Sequence, residues 1–353
     1  MKWELAIAPA SANIRDIIAA IDRGGVQIAF ICDEDRRLRG VVTDGDVRRA
    51  LIRGVQLDAA IDDIVNRHPT VVSISDHRSK AVALMQQFGI YQVPVIDETG
   101  RLVGVQTLHS HSGERAGNTR AIVMAGGLGS RLAPLTNTIP KPLIRVGENP
   151  ILETIVRQLA THGIKQITMC VNHMADMIRD HFGDGSKWGV EIEYTEEKER
   201  RGTAGALTLL PQRPDAPFLV LNADLLTSVD FTSLIEFHRQ HKQPATMCVR
   251  EYSMQVPYGV TQIDGHSLKA LEEKPEFKFF INAGIYVLDP DVLDRVPDGK
   301  MYNMTNIFED LLAEGRKPSV FPIVEYWLDI GRLDDLERAR AEFETYFAGQ
   351  KPV

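Results

Sequence analysis

The amino-acid sequence predicts an α/β protein, with a doubly wound domain over residues 119–347 preceded by a small α+β tandem module over residues 1–116. Three observations lead there. A chain of 353 residues exceeds one average domain. From Arg120 onward, short apolar runs alternate with helical patterns, the signature of a sheet covered on both faces. Before that point an internal repeat appears: Gly40-Val41-Val42-Thr43-Asp44-Gly45-Asp46 recurs as Gly104-Val105-Gln106-Thr107-Leu108-His109-Ser110. Such copies are stacked units that bury their apolar faces on each other.

Each copy pairs a helical stretch (14–21; 80–88) with a strand (28–32; 91–96). Residues 111–118, rich in Ser, Gly and charge, read as a linker. In the larger domain the apolar run 121–124 reads as a buried parallel strand. Further strands are expected at 167–171, 192–195, 218–221, 245–249 and 281–288. Helices are expected at 151–159, 175–182, 234–241, 307–312 and 334–343. Phe277 to Ile281 is apolar enough to predict an immediate return into the core.

Composition narrows the function classes. With 44% hydrophobic and 25% charged residues the chain has the balance of a globular protein. A net charge of −8 argues against a nucleic-acid partner, while leaving room for a local basic cleft. Cys32, Cys170 and Cys248 lie in apolar runs without metal-ligand spacing, so buried reduced thiols in a cytoplasmic protein are expected. Met1-Lys2-Trp3-Glu4 opens no signal-peptide apolar core, and no run approaches the ~20 apolar residues of a membrane span.

Chemistry concentrates just after the first large-domain strand. Ala125-Gly126-Gly127-Leu128-Gly129-Ser130-Arg131 places three glycines where backbone amides can approach an anion. Arg131 and Lys141 add fixed positive charge, one as a planar fork and one as a point charge. The result is a triphosphate cradle that is neither a Walker A loop nor a GxGxxG turn.

GGLGSRL…PLT…PKPL…VGENPIL resembles the sugar-1-phosphate nucleotidyltransferases, over about residues 119–345. That resemblance implies a Rossmann-like fold and transfer of a nucleoside monophosphate from a nucleoside triphosphate to a sugar 1-phosphate, with Mg²⁺ as cofactor. Such chemistry needs isolated carboxylates at strand ends. Asp224, after Phe218-Leu219-Val220-Leu221, and Asp329, in Trp327-Leu328-Asp329, meet this need and match the family's magnesium-binding aspartates. Alone, Asp224 could cap a turn and Asp329 the final helix. Catalysis is thus assigned to Arg131, Lys141, Asp224 and Asp329.

The same resemblance carries the remaining site. Glu197, Gly202 and Thr203, in Glu197-Lys198-Glu199-Arg200-Arg201-Gly202-Thr203-Ala204-Gly205, match the loop that cups the base. Gly202 and Gly205 are expected to approach the base closely, and the next helix to offer free amides. Nucleotide binding is completed by Ala125, Gly126, Gly127, Gly129 and Ser130. Gly259, Glu273, Lys274, Asn282 and Gly284 match the positions that hold the sugar phosphate. Ala223 stands where many relatives have Gly, and Arg200-Arg201 where Pro-Leu is frequent, which leaves the base open.

The amino-terminal repeat looks like a tandem CBS pair, which implies an adenine nucleotide at Thr43 and Asp46. The second copy keeps Thr107 but has Ser110 in place of the acid. Asp46 could instead cap the following helix, and the pair could serve assembly alone, so a homo-oligomer is expected. The fused architecture is similar to the guanylyltransferases of legionaminic acid biosynthesis, implying GTP and glucosamine 1-phosphate. Mannose-1-phosphate guanylyl transfer and uridylyl or thymidylyl transfer are the near alternatives. A nucleotide sensor with a degenerate transferase domain is the alternative of another class, and the retained Arg131, Lys141, Asp224, Lys274 and Asp329 argue against it.

Overall fold

Two three-stranded sheets of identical design make up the first unit. In one, β1 (Ile7–Pro9) runs parallel to β2 (Ile28–Cys32), which pairs antiparallel with β3 (Leu38–Thr43). Helix α1 (Ile14–Gly24) links the first two, and α2 (Asp44–Ile52) follows the third. The second copy repeats this with β4 (Val72–Ser73), α3 (Arg78–Phe88), β5 (Gln92–Ile96) and β6 (Leu102–Thr107). Even the register repeats, Ile28 facing Thr43 as Gln92 faces Thr107. The copies join where Leu38 N donates to Gly100 O and Leu102 N to Arg36 O.

This computed structural model describes residues 2–107 and 119–347. Leu108, His109, Ser110 and the expected linker fall outside the described residues. By its internal packing the chain divides into two units near residue 114.

In the second unit a seven-stranded sheet is built on β7 (Arg120–Met124). Beside it lie β8 (Gln166–Val171), β9 (Glu191–Glu196) and β10 (Phe218–Asn222), all parallel. Helices α4 (Ile151–Thr161) and α5 (Ala175–Phe182) connect the parallel half. A short β11 (Leu225–Thr227) precedes α6 (Phe231–His241). Then come β12 (Ala245–Gln255), a hairpin of β13 (Gly259–Asp264) and β14 (Ser267–Glu273), and β15 (Glu276–Leu288). Helix α7 (Met304–Ala313), β16 (Ser319–Pro322), β17 (Trp327–Asp329) and α8 (Leu333–Phe347) complete the unit. Sheet order is β9-β8-β7-β10-β15-β12-β16, and β15 runs antiparallel to both neighbours. The doubly wound sheet is therefore mixed rather than all parallel.

Burial explains why these runs are strands. On β7, Ala121 and Val123 pack into the core on one face and Ile122 into the core on the other. Leu219 and Leu221 oppose Phe218 and Val220 in the same way on β10. A strand covered on both faces reads as a continuous apolar run because each alternate residue needs its own apolar partner. The three cysteines are buried and free, as expected. Among the described residues no helix is long and apolar enough to cross a membrane.

One expectation fails. Phe277, Phe279 and Phe280 do not return to the core: they are 39%, 51% and 43% exposed on the outer part of β15. That part pairs with the outer half of β12, Tyr252 facing Phe279 and Met254 facing Phe277. The two strands outrun the sheet as an arm, and the core resumes only at Ala283.

Candidate active site at the carboxyl ends of the parallel strands

The glycine-rich turn leaves the carboxyl end of β7, where ligands bind in open α/β sheets. Ala125 N donates to Cys170 O, holding the start of the turn against β8. Gly129 takes φ +63°, and a Cβ there would lie 2.8 Å from Thr136 Cγ2 and 3.0 Å from Lys141 Cβ. Only glycine fits, because the chain folds back so tightly that Thr136 Oγ1 donates to Gly129 O at 3.0 Å. Gly127 faces open space, and Ser130 and Arg131 are exposed.

A separate apolar cluster anchors the turn. Leu132 is fully buried with Leu226, Leu328, Ile330 and Leu336. Burying such a side chain is worth about 1.5–3 kcal/mol, so Leu132 beside Arg131, and Leu328 and Ile330 on either side of Asp329, are pinned. Strand β11 pairs antiparallel with β17, Leu225 opposite Asp329, and Ile330 N donates to Asp224 O at 3.0 Å. This ribbon brings Asp224 and Asp329 side by side.

Lys141 opens a short 3₁₀ turn, and its buried ammonium donates to Asp224 Oδ2. Asp224 Oδ1 and Asp329 Oδ1 are both buried without a hydrogen-bond partner. Burial, and then the Asp224 charge, push the Asp329 carboxyl above the usual range, while Lys141 and Arg131 oppose the rise. A Cβ at Gly331 would sit 3.4 Å from Arg131 Nη1 and 3.6 Å from Asp329 Oδ1, which puts the guanidinium beside the second carboxylate. Buried carboxylate oxygens left unpaired are rare and call for an explanation, which a bound cation would supply. Two hard oxygen donors suit Mg²⁺, which binds one or two carboxylates and takes its other ligands from phosphates and water. The residues fit the ion.

Glu197 lies across the turn. A Cβ on Gly126 would meet Glu197 Oε1 at 3.2 Å and Asn172 Cβ at 3.3 Å. Asn172 Nδ2 donates to Glu197 O at 2.5 Å, and Arg201 N donates to Glu197 Oε2 at 3.2 Å. Burial raises the Glu197 carboxyl above its ordinary value.

Gly202 and Gly205 make close approaches within the protein, and the expectation of free amides fails at Ala204 and Gly205. Their close approaches are to the protein itself: Tyr302 O lies 2.6 Å from a Gly202 Cβ, and Lys300 O lies 3.0 Å from a Gly205 Cβ. Nor are the next amides free, since Ala204 N and Gly205 N both donate to Tyr302 O. Thr203 Oγ1 accepts from Met304 N at 2.9 Å, securing α7. Arg201 Nη1 donates to Thr208 Oγ1 at 3.2 Å and to Asp298 Oδ1 at 2.8 Å.

On the far side Gly259 faces Glu273 in the β13–β14 hairpin. A Cβ on Gly259 would lie 3.0 Å from Glu273 Oε2, so the carboxylate lies over that glycine. Lys274 holds φ +49° and its N–H donates to Tyr258 O at 3.3 Å. Asn282 donates to Tyr286 Oη and accepts from Gly284 N. Gly284, at φ +71°, lets Asn222 Nδ2 come within 2.6 Å of its missing Cβ. Asn172 and Asn222 were missed by sequence reasoning. Asn172 directly follows buried β8 and Asn222 ends buried β10, and those positions are the signal that could have marked them.

In the first unit Thr43 is the helix cap and Asp46 its reciprocal partner three residues on. Asp46 Oδ2 accepts from Thr43 N and Oγ1 at 2.9 and 2.6 Å, and Oδ1 accepts from Arg49 at 2.5 Å. Asp46 is thus not the cap itself.

The Nucleotidyl transferase family model matches residues 120–345. This chain belongs to the nucleotidyl transferase family. CBS domain models match residues 1–53 and 61–108 of this nucleotidyl transferase. It is 32% identical over 240 residues to a UTP–glucose-1-phosphate uridylyltransferase of Synechocystis, covering 62% of each chain. It is 34% identical over 226 residues to a mannose-1-phosphate guanylyltransferase catalytic subunit beta of Drosophila pseudoobscura, covering 62% of this chain and 60% of the relative. The chain spans about three fifths of the length of these relatives. A solved structure from Bacillus anthracis, assigned as a glucose-1-phosphate thymidylyltransferase, superposes with a TM-score of 0.52 at 27% identity. That alignment covers 63% of this chain and 94% of the other.

Proposed function

We propose that this nucleotidyl transferase moves a nucleoside monophosphate from a nucleoside triphosphate to a sugar 1-phosphate, releasing pyrophosphate. One observation carries the proposal: Asp224 and Asp329, with unpaired buried oxygens, stand beside Lys141 at the mouth of the glycine-rich turn. A phosphate oxygen of the sugar attacks the α-phosphorus in line, the bond to the β-phosphate bridging oxygen breaks, and pyrophosphate leaves with the electron pair. Asp224 and Asp329 would hold Mg²⁺, which when bound neutralises phosphate charge.

The chain supplies the rest by position. Backbone groups from Ala125 to Ser130 receive the triphosphate, and Arg131 and Lys141 offset charge that grows on the leaving pyrophosphate. Glu197 borders the base. Glu273, Lys274, Asn282 and the Gly284 turn would bind the sugar phosphate, Lys274 by charge and the others by hydrogen bonds.

GTP and glucosamine 1-phosphate are the substrates we propose, with support from the fused architecture and from guanylyltransferases among the relatives. An adenine nucleotide at Thr43 and Asp46 belongs to the same proposal. It would replace Arg49 on the Asp46 carboxylate with ribose hydroxyls. The exposed apolar face of the arm, with Tyr252, Met254, Phe277 and Phe279, supports a homo-oligomer. Buried reduced thiols support a cytoplasmic setting.

Pyrophosphate release, measured with four nucleoside triphosphates against a panel of sugar 1-phosphates, tests the substrates. GTP with glucosamine 1-phosphate should give the highest kcat/KM. A higher value with UTP, dTTP or mannose 1-phosphate would replace that assignment.

A further inference from the structure

The Lys141 side chain is 8% exposed, and among the described residues its hydrogen-bond partner is Asp224. Its Cβ lies 3.0 Å from the position of a Gly129 Cβ, so its stem leaves the backbone against the glycine-rich turn. The side chain therefore runs from the turn proposed to receive phosphates to Asp224, where its ammonium ends. Beside it Asp224 Oδ1 and Asp329 Oδ1 remain buried and unpaired. The ammonium cancels one of the two carboxylate charges and sits where it repels any second cation. Arg131 makes no ion pair among the described residues, is exposed, and stays available to phosphates throughout.

We infer that Lys141 closes the Asp224–Asp329 pair to free divalent cations and opens it only when a triphosphate offers its ammonium another anion. Metal is then taken up together with the nucleotide rather than before it. The inference rests on reading Asp224 and Asp329 as metal carboxylates. Three physical facts favour the exchange. An ammonium and a divalent cation a few ångströms apart repel strongly in a poorly solvated site. A lysine stem is flexible, and its ammonium binds phosphate as readily as carboxylate. Finally, the ion pair is poorly solvated, so Lys141 leaves it only for a partner of equal charge, which water cannot supply.

Mn²⁺ binding to the full chain, followed by electron paramagnetic resonance, tests this without turnover. In the absence of nucleotide, Lys141→Met should bind Mn²⁺ at least tenfold more tightly than wild type. Lys141→Gln should do the same, and Asp224→Asn introduced into either variant should remove the gain. With GTP present and no sugar phosphate the order should reverse, wild type binding Mn²⁺ more tightly than Lys141→Met. Circular dichroism establishes that each variant is folded, and whichever Lys141 variant folds carries the test. Unchanged or weaker Mn²⁺ binding by the folded Lys141 variant, with GTP-dependent binding intact in wild type, overturns the inference alone. Absence of Mn²⁺ binding in wild type even with each of the four triphosphates overturns the metal reading and the inference with it.

Discussion

At the residue scale a few charged groups owe their proposed roles to their surroundings. Asp224 is the sharpest case. Asp224→Asn keeps the shape but loses the charge that holds a hard cation, and kcat should fall at least a hundredfold. It also leaves the buried Lys141 ammonium without its carboxylate, so unfolding free energy should drop by about 3 kcal/mol while the fold persists. Steady-state kinetics beside urea denaturation checks both; near-wild-type kcat at saturating Mg²⁺ would remove Asp224 from the site. The sequence singles out Asp224 and Asp329 because each closes a short apolar run, and Arg131 and Lys141 because they stand in and just after a glycine-rich stretch. Their pairing was not legible. Lys141 and Asp224 are separated by 83 positions, and no local pattern says that one ammonium meets one carboxylate. Gly202 and Gly205 show the same limit. A glycine signals close approach, but not whether the approaching group is a ligand or, as here, the Tyr302 and Lys300 carbonyls.

At the element scale, runs buried on both faces were read well. β7, β8 and β10 lie where alternation and length place them, since period and burial agree there, and the edge strand β9, with Glu191, Glu193 and Glu196 exposed, lies where Ile192 and Tyr194 place it. The arm was misread because Phe277, Phe279 and Phe280 promise burial that the chain does not provide within this unit. The β11–β17 ribbon was invisible, each strand being three residues long. Helix α6 offers a test of how an element is held to the sheet. His238 on α6 is buried, its Nδ1 2.9 Å from Thr246 Oγ1 on β12 and its Nε2 3.2 Å from Asp289 Oδ1. Burial holds the imidazole below its ordinary pKa, against the pull of Asp289, and Arg239 and His241 add slightly to the lowering. A folded value below the unfolded one means that the unfolded chain binds the proton first as pH falls. Stability should therefore decline as pH drops below about 6.5, by at most ~1.4 kcal/mol per pH unit for one proton. Denaturant midpoints between pH 7.5 and 5.5 should fall more steeply in wild type than in His238→Gln. Parallel slopes would show that His238 does not report the change.

At the scale of the whole molecule, two units were legible from the repeat and the composition of the intervening stretch. The mixed order of the sheet was not, because direction of pairing leaves no mark in an apolar run as short as β15's inner half. The proposed reaction, attack at the α-phosphorus, draws on a glycine-rich turn at one strand end and on two carboxylates on a ribbon beside it. Isotope transfer follows that reaction directly. With the sugar 1-phosphate that supports turnover, α-³²P-labelled triphosphate should pass its label to a nucleotide sugar. γ-³²P-labelled triphosphate should place its label wholly in pyrophosphate. Label from the γ-position in orthophosphate or on the sugar, with none from the α-position in a nucleotide sugar, would contradict the account.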